Sequence, residues 1–187
     1  MLASLQWPGR HAIAAGSMLD HDQIDELDPT RDKPAVYAWL RSFLRWHLAV
    51  WSEAAGLRWS ERDIDEHIGD HGLVEREWHE LLAAAGDEHQ LVAVARDRRR
   101  PIGVLHARER EDRYLRIPMG VVCWLFIEPV SRGTGVSRLL MDASTQWMQE
   151  RGLRSAEVFV TADNAAALRV YKRARYGVVD YRLIAQL

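Results

Sequence analysis

The stretch from Val121 to Gln149, VVCWLFIEPVSRGTGVSRLLMDASTQWMQ, decides how the rest of the chain is read. Its first seven residues, Val121 to Ile127, are all apolar and rich in β-branched and aromatic side chains, as in a strand buried on both faces. Pro129 has no N–H to give a ladder and ends the pairing. Arg132-Gly133-Thr134-Gly135 follows, and then a helical period begins. Val136, Leu139, Leu140, Ala143 and Trp147 share one face of a 3.6-residue repeat, with Gly152 as a stop. A buried strand, a glycine turn and a helix N-terminus place free backbone N–H groups at the positive end of a helix dipole. That is a site for phosphate.

The turn does not match the common nucleotide loops. A Walker A loop requires Lys and Ser or Thr after its second Gly, whereas Val136-Ser137 stands there. A dinucleotide fingerprint requires a third Gly where Arg138 stands, and Glu157 would begin a strand rather than end one. Arg132-Gly133-Thr134-Gly135-Val136-Ser137 instead resembles the Q/R-x-x-G-x-G/A motif of the GNAT-family N-acetyltransferases. Ile127-Glu128-Pro129 is similar to the V-x-P that closes the family's fourth strand, and Leu139-Leu140 to the apolar pair that follows. Downstream, Asn164 to Tyr171 resembles the N-x-x-A-x-x-x-Y run of the family's last helix. The resemblance covers Leu91 to Tyr181 well and the N-terminal half poorly.

The resemblance implies an α/β fold: a mixed, mostly antiparallel sheet flanked by helices. One domain is expected, with a helical, Trp-rich half over 1–89 and a cofactor-binding core over 90–187. Acetyl-coenzyme A would be the co-substrate, its pyrophosphate on the N–H groups of Arg132, Gly133, Thr134, Gly135, Val136 and Ser137. Its pantetheine arm would run along the backbone of Leu125, Phe126 and Ile127, and Asn164 would contact it. A strand N–H would hold the oxyanion. Tyr171 matches the general acid that protonates the departing thiolate, and a phenol of pKa ~10 is protonated at neutral pH; its other reading is a core aromatic. The family's usual base is a Glu in the fourth strand, and Val121 to Ile127 contains no acid. Glu128 past the strand, His106 before it, and Glu109 or Glu111 through water are the candidates. Trp39, Trp46 and Trp51 are core residues first and candidates to line an acceptor pocket second.

Composition excludes several classes. The 187 residues are 48% hydrophobic and 28% charged, enough for one well-filled domain. A net charge of −2 provides no general field for nucleic acid, and Arg98-Arg99-Arg100 is read as a solvated loop. No apolar run approaches the ~20 residues of a membrane span. With no signal-peptide pattern and a single cysteine, Cys123, a cytoplasmic protein without an intrachain disulfide is expected. Cys123, inside the buried strand, is a poor nucleophile, so direct attack by the acceptor amine is expected. No metal is expected: His67, Asp70 and His71 lack a zinc pattern, and Gly69 and Gly72 should break their helix.

In chain order the pattern predicts a first strand near His11–Ala15 and a short helix over Gln23–Leu27 capped by Asp20-His21-Asp22. A polar turn over Asp28–Pro34 follows, then helices over Ala35–Ala55, Ser60–Ile68 and Leu73–Ala85. Trp39, Phe43, Trp46 and Val50 form the stripe of the first of these, widened by Leu40, Leu44 and Trp51. Strands are expected over Leu91–Ala95 and Ile102–Ala107, joined by a charged loop from Arg96 to Pro101, with Glu109–Arg116 exposed. After the helix that follows the glycine turn come a strand at Val158–Val160, a helix over Asn164–Ala174 capped by Asp163, and a final strand over Val178–Ile184. One strand after that helix is fewer than the family has, so either the sheet is shortened or a strand from another chain completes it, and a homodimer would cover the open edge. The reading is an acetyl-CoA-dependent N-acetyltransferase acting on a small-molecule or peptide amine. A non-catalytic acyl-CoA-binding module is second and a nucleotide-binding protein third.

Overall fold

In a computed structural model, which describes residues 22–185, five strands form one sheet in the order β1-β2-β3-β4-β5. They are β1 (Asp22–Glu26), β2 (Gln90–Asp97), β3 (Arg100–Glu111), β4 (Pro118–Ile127) and β5 (Ala156–Val158). The first four are antiparallel neighbours, and β5 joins β4 in parallel. Three helices, α1 (Lys33–Ala54), α2 (Glu61–Asp70) and α3 (Leu73–Ala85), intervene between β1 and β2; α4 (Val136–Glu150) and α5 (Ala165–Arg173) follow β4 and β5. The expected mixed sheet with flanking helices is present. Among the described residues no helix is long and apolar enough to cross a membrane.

Strand alternation sorts the core into two layers. Val92, Val94 and Val104 meet Val36, Trp39, Leu40, Trp78 and Leu81 of α1 and α3 on one face. Leu91, Ala93, Leu105, Ala107 and Val122 meet Val136, Leu140, Met141 and Trp147 of α4 on the other. Gly120 lets α4 approach: a Cβ there would lie 2.4 Å from the Met148 sulfur.

Several expectations are corrected. Asp22–Glu26 is a strand and not a helix, because it pairs in register with β2, Ile24 opposite Ala95 and Glu26 opposite Ala93. Its acidic residues suit an edge strand. Arg96, expected in a loop, is inside β2 and fully buried; the hairpin turn is only Arg98-Arg99. The buried stripe of α1 is Val36, Trp39, Leu40 and Leu44, while Trp46 stands 39% exposed. A capping box opens α2, Ser60 Oγ accepting from the Asp63 N–H at 3.2 Å and the Asp63 side chain accepting from the Ser60 N–H. However, α2 runs through Gly69 to Asp70 rather than breaking. Glu109 and Glu111 belong to β3, and Glu109 is half-buried. Asn164, not Asp163, caps α5, its Oδ1 accepting from the Ala167 N–H at 3.0 Å. No strand forms over Val178–Ile184, whose Val179 and Leu183 are 90% and 91% exposed. A three-residue β5 offers too short a ladder to hold it. The strand expected at His11–Ala15 lies outside the described residues.

Candidate cofactor and acceptor site

The expectation that β4 is buried on both faces holds only for its first half. Gly120, Val121 and Val122 are buried, Cys123 is exposed, and Trp124 to Ile127 are half-buried. The cause is the length of β5, whose pairing begins at Gly120↔Ala156 and ends at Val122↔Val158. Beyond Val122, β4 has a strand partner only on its β3 side. A β-bulge between His106 and Ala107 marks the same place in the β3 ladder. The open edge thus offers unpaired backbone to an extended ligand.

Directly beyond it, a 3₁₀ turn at Pro129–Ser131 leads into the glycine turn. Gly133 and Gly135 adopt φ +81° and +106°, values that an L side chain resists. No side chain caps α4, so its first amides remain available. Thr134 Oγ1 donates to the Ser131 carbonyl at 2.7 Å, and Arg132 Nε donates to the Ile127 carbonyl at 3.2 Å. The turn is therefore tied to the end of β4. Val136 anchors it in the core with 1% exposure. A concave backbone with two positive-φ glycines at a helix N-terminus is an anion cradle, and here it continues an open strand edge. This geometry suits an extended ligand that carries a phosphate group.

Residues 34–176 match the model of the acetyltransferase (GNAT) family, and the chain belongs to that family. Among sequence relatives, the mycothiol acetyltransferase of Rhodococcus erythropolis is 36% identical over 69 residues, 37% of this chain and 22% of that protein. That of Amycolatopsis mediterranei is 38% identical over 55 residues, 29% and 18% of the two chains. The chain thus spans about a fifth of the curated relatives it matches. The fold is shared with the PaiA N-acetyltransferase of Thermoplasma acidophilum in complex with coenzyme A, at TM-score 0.63 and 16% identity over 86% of this chain and 92% of that one. It is also shared with the aminoglycoside 6'-N-acetyltransferase AAC(6')-Ih of Acinetobacter baumannii, at TM-score 0.60 and 14% identity over 89% and 97%.

The other expected residues fall into two groups. Tyr171, 8% exposed, lies in the same apolar cluster as Val136, Leu125 and Ile127, on the glycine-turn side. Burial, with Tyr176 beside it, pushes its phenol up to about 12. Its hydroxyl has no hydrogen-bond partner among the described residues, so its proton is free to be donated. Asn164 is occupied as a helix cap. The Phe126 side chain lies on the opposite face, stacked on Trp39 with ring centres 5.4 Å apart. That stack opens an aromatic wall that the sequence reading saw only in part. Phe43 meets Trp124 at 6.2 Å, Trp46 at 6.4 Å and His47 at 5.5 Å, and His47 meets Trp51 at 5.8 Å. Trp124 Nε1 is buried without a partner.

None of the candidate bases is a free carboxylate. Glu128 is ion-paired with Arg100. Hydrogen bonds from His89 and then Arg151 lower the Glu109 pKa, and Glu111 pairs with Arg116 at 2.9 Å. His106 Nε2 lies 2.8 Å from Gln90 Oε1; burial, then the Arg108 charge, lowers it to about 4. No group of three or more metal-ligating side chains occurs among the described residues. The His67 and His71 rings are tilted against each other, their centres 4.2 Å apart.

The His106 shift predicts acid sensitivity. Above pH ~6.5 the imidazole is neutral in both folded and unfolded chains; from there to about 4 the unfolded chain takes up a proton that the fold refuses. Stability therefore falls over that window, by roughly 3 kcal/mol at most. His106→Gln removes this part of the acid limb, read as urea midpoints between pH 7 and pH 4. An unchanged slope would mean that His106 titrates normally.

Proposed function

We propose that the protein is an acetyl-CoA-dependent N-acetyltransferase. The observation that carries this reading is the open half of β4 running directly into the glycine turn at the α4 N-terminus. Pantetheine would pair with the free edge at Leu125 to Ile127, and the pyrophosphate would rest on the N–H groups of Arg132 to Ser137. The thioester carbonyl would then accept a hydrogen bond from β4 backbone, where negative charge develops. The acceptor nitrogen attacks the carbonyl carbon, the new C–N bond forms, and the C–S bond breaks. The amine loses one proton, and coenzyme A leaves as a thiol.

Tyr171 donates to the departing sulfur in this scheme. A phenol near 12 stays protonated through the working range, so no loss of rate below pH ~11 traces to its ionisation. Tyr171→Phe lowers kcat by about 100-fold, within the range for general acids. Steady-state assay of thiol release reads it, with circular dichroism as the folding control. Unchanged kcat would remove Tyr171 from the mechanism.

Titration with acetyl-CoA followed by turnover against amines tests the whole reading. The bound carboxylates around the site favour one alternative, a non-catalytic acyl-CoA-binding module. Tight acetyl-CoA binding without turnover of any amine would select it. Trp46 and Trp51 would line the acceptor side, in keeping with their place at the open end of the aromatic wall. The free β5 edge supports a homodimer, and the lone cysteine accords with a cytoplasmic setting. The acceptor is a small molecule or peptide, with no nucleic acid or membrane involved.

A further inference from the structure

A cavity of about 340 Å³ lies where the pairing of β4 with β5 ends, lined by Arg108, Arg110, Val121, Cys123, Glu157 and Phe159 among others. Register explains its composition. Val121 is opposite Arg108 on β3 and opposite Glu157 on β5, so three strands contribute side chains to one row. Ala107 packs on the α4 side, so alternation turns Arg108 and Arg110 to the other face. Trp124 and Phe126 pack on that same face. The cavity therefore lies on the face opposite α4, against the edge where the thioester is proposed to sit.

Its charges do not cancel. Arg110 Nη2 donates to Glu157 Oε1 at 2.5 Å, which neutralises that pair but leaves Arg110 Nε buried without a partner. Arg108 makes no ion pair among the described residues. Desolvation raises the Cys123 thiol, which keeps it neutral. One uncompensated guanidinium, that of Arg108, thus lines a recess whose own carboxylate, Glu157, is already taken by Arg110. The Arg108 guanidinium suits an oxygen anion.

A second observation concerns the amine. Every candidate base is ion-paired, exposed, or a histidine near 4, so the site does little to deprotonate an alkyl ammonium of pKa ~10. An α-amine, with pKa ~8, is partly neutral at pH 7 without help.

We infer that the acceptor is a short peptide-like α-amine whose own carboxylate is held by Arg108. This rests on the acetyltransferase reading above. At ~3.3 Å per residue, Leu125 lies about 7 Å from Cys123 and about 13 Å from Val121, opposite Arg108. That interval is the length of roughly two to four extended residues. The α-nitrogen forms the amide with the acetyl carbon as the C–S bond breaks, its proton passes to water, and the carboxylate takes no part in bond making.

Triglycine and triglycinamide, which carry the same amine and differ by one charge, are the probes. The wild type should prefer the acid in kcat/KM by on the order of tenfold, the lower end for a charge-assisted pair. In Arg108→Gln the ratio should collapse toward one, and Arg108→Lys should restore part of it. A wild-type ratio near one, or a ratio unmoved in Arg108→Gln, overturns the inference while leaving acetyl transfer intact. If neither compound is acetylated, N-acetyltriglycine and its amide are titrated in the presence of coenzyme A. Arg108-dependent preference for the acid then upholds the anion site although the transfer reading falls, and equal binding of both removes the site as well.

Discussion

Gly135→Asp abolishes acetyl-CoA binding, lowering affinity at least 100-fold, while the protein stays folded. Two effects act together at this position. Gly135 holds φ +106°, which an L residue adopts only with strain of order 1–3 kcal/mol, so the cradle itself shifts. The new carboxylate also stands at the N-terminus of α4, where the proposed pyrophosphate would need the same positive end of the dipole. Packing does not confuse the result, because a Cβ at Gly135 would meet nothing within 4 Å. Gly135→Ala separates the terms, since it carries the backbone strain without the charge and should bind with intermediate affinity. Isothermal titration of acetyl-CoA reads all three proteins, with circular dichroism on each. Wild-type affinity in Gly135→Asp would show that the pyrophosphate rests elsewhere.

The largest effect on stability is expected far from this turn. Asp32→Ala destabilises the fold by about 3–5 kcal/mol, the cost of leaving a buried charge without its partner. Arg96 is 1% exposed and Asp32 0% at their side chains. Arg96 Nη1 donates to Asp32 Oδ1 at 2.6 Å, and Nη2 to Oδ2 at 2.7 Å, a two-pronged pair. Nε donates to Asp25 Oδ2 at 3.0 Å and Nη2 also to the Glu26 carbonyl at 3.1 Å. The network joins β2 to β1 and to the N-terminus of α1, where Asp32 sits as cap residue but makes no side-chain bond to the helix. Its carboxylate turns back to Arg96 and to the Asp28 N–H instead. After Asp32→Ala the guanidinium keeps only Asp25, which is 32% exposed, and one carbonyl. The double variant Asp32→Ala/Arg96→Met removes the stranded charge and should recover part of the loss. Urea denaturation of the two single variants and the double variant closes the cycle. A loss below ~1 kcal/mol in Asp32→Ala would mean that water reaches the guanidinium and replaces its partner.

The glycine turn and the Arg96 network differ in how far the sequence reveals them. The glycine turn was readable because its parts are local: a strand ended by Pro129, two glycines, and a helical period starting at Val136. Backbone conformation and short-range periodicity depend on adjacent residues, so α2 with its Ser60 cap and α3 ending at Gly86 were equally visible. The Arg96 network was not. Asp25 and Asp32 are separated from Arg96 by all of α1, α2 and α3, and a charged residue between two strand patterns reads most simply as a loop.

The sequence by itself determined the α/β class, the order of elements from α1 to α5, and the motif that places the chain in its acetyltransferase family. Tertiary structure decided which edges stay open and which charges stay unpaired. It made Asp22–Glu26 a strand because β2 offered a ladder, and left Val178–Ile184 without one because β5 is three residues long. That same short β5 freed the second half of β4 and brought Arg108, Arg110 and Glu157 around one cavity. It also separated Phe126 from Leu125 and Ile127, placing it on Trp39 instead. Pairing between strands is a long-range competition for hydrogen bonds, and its outcome depends on neighbours that no local window of sequence contains.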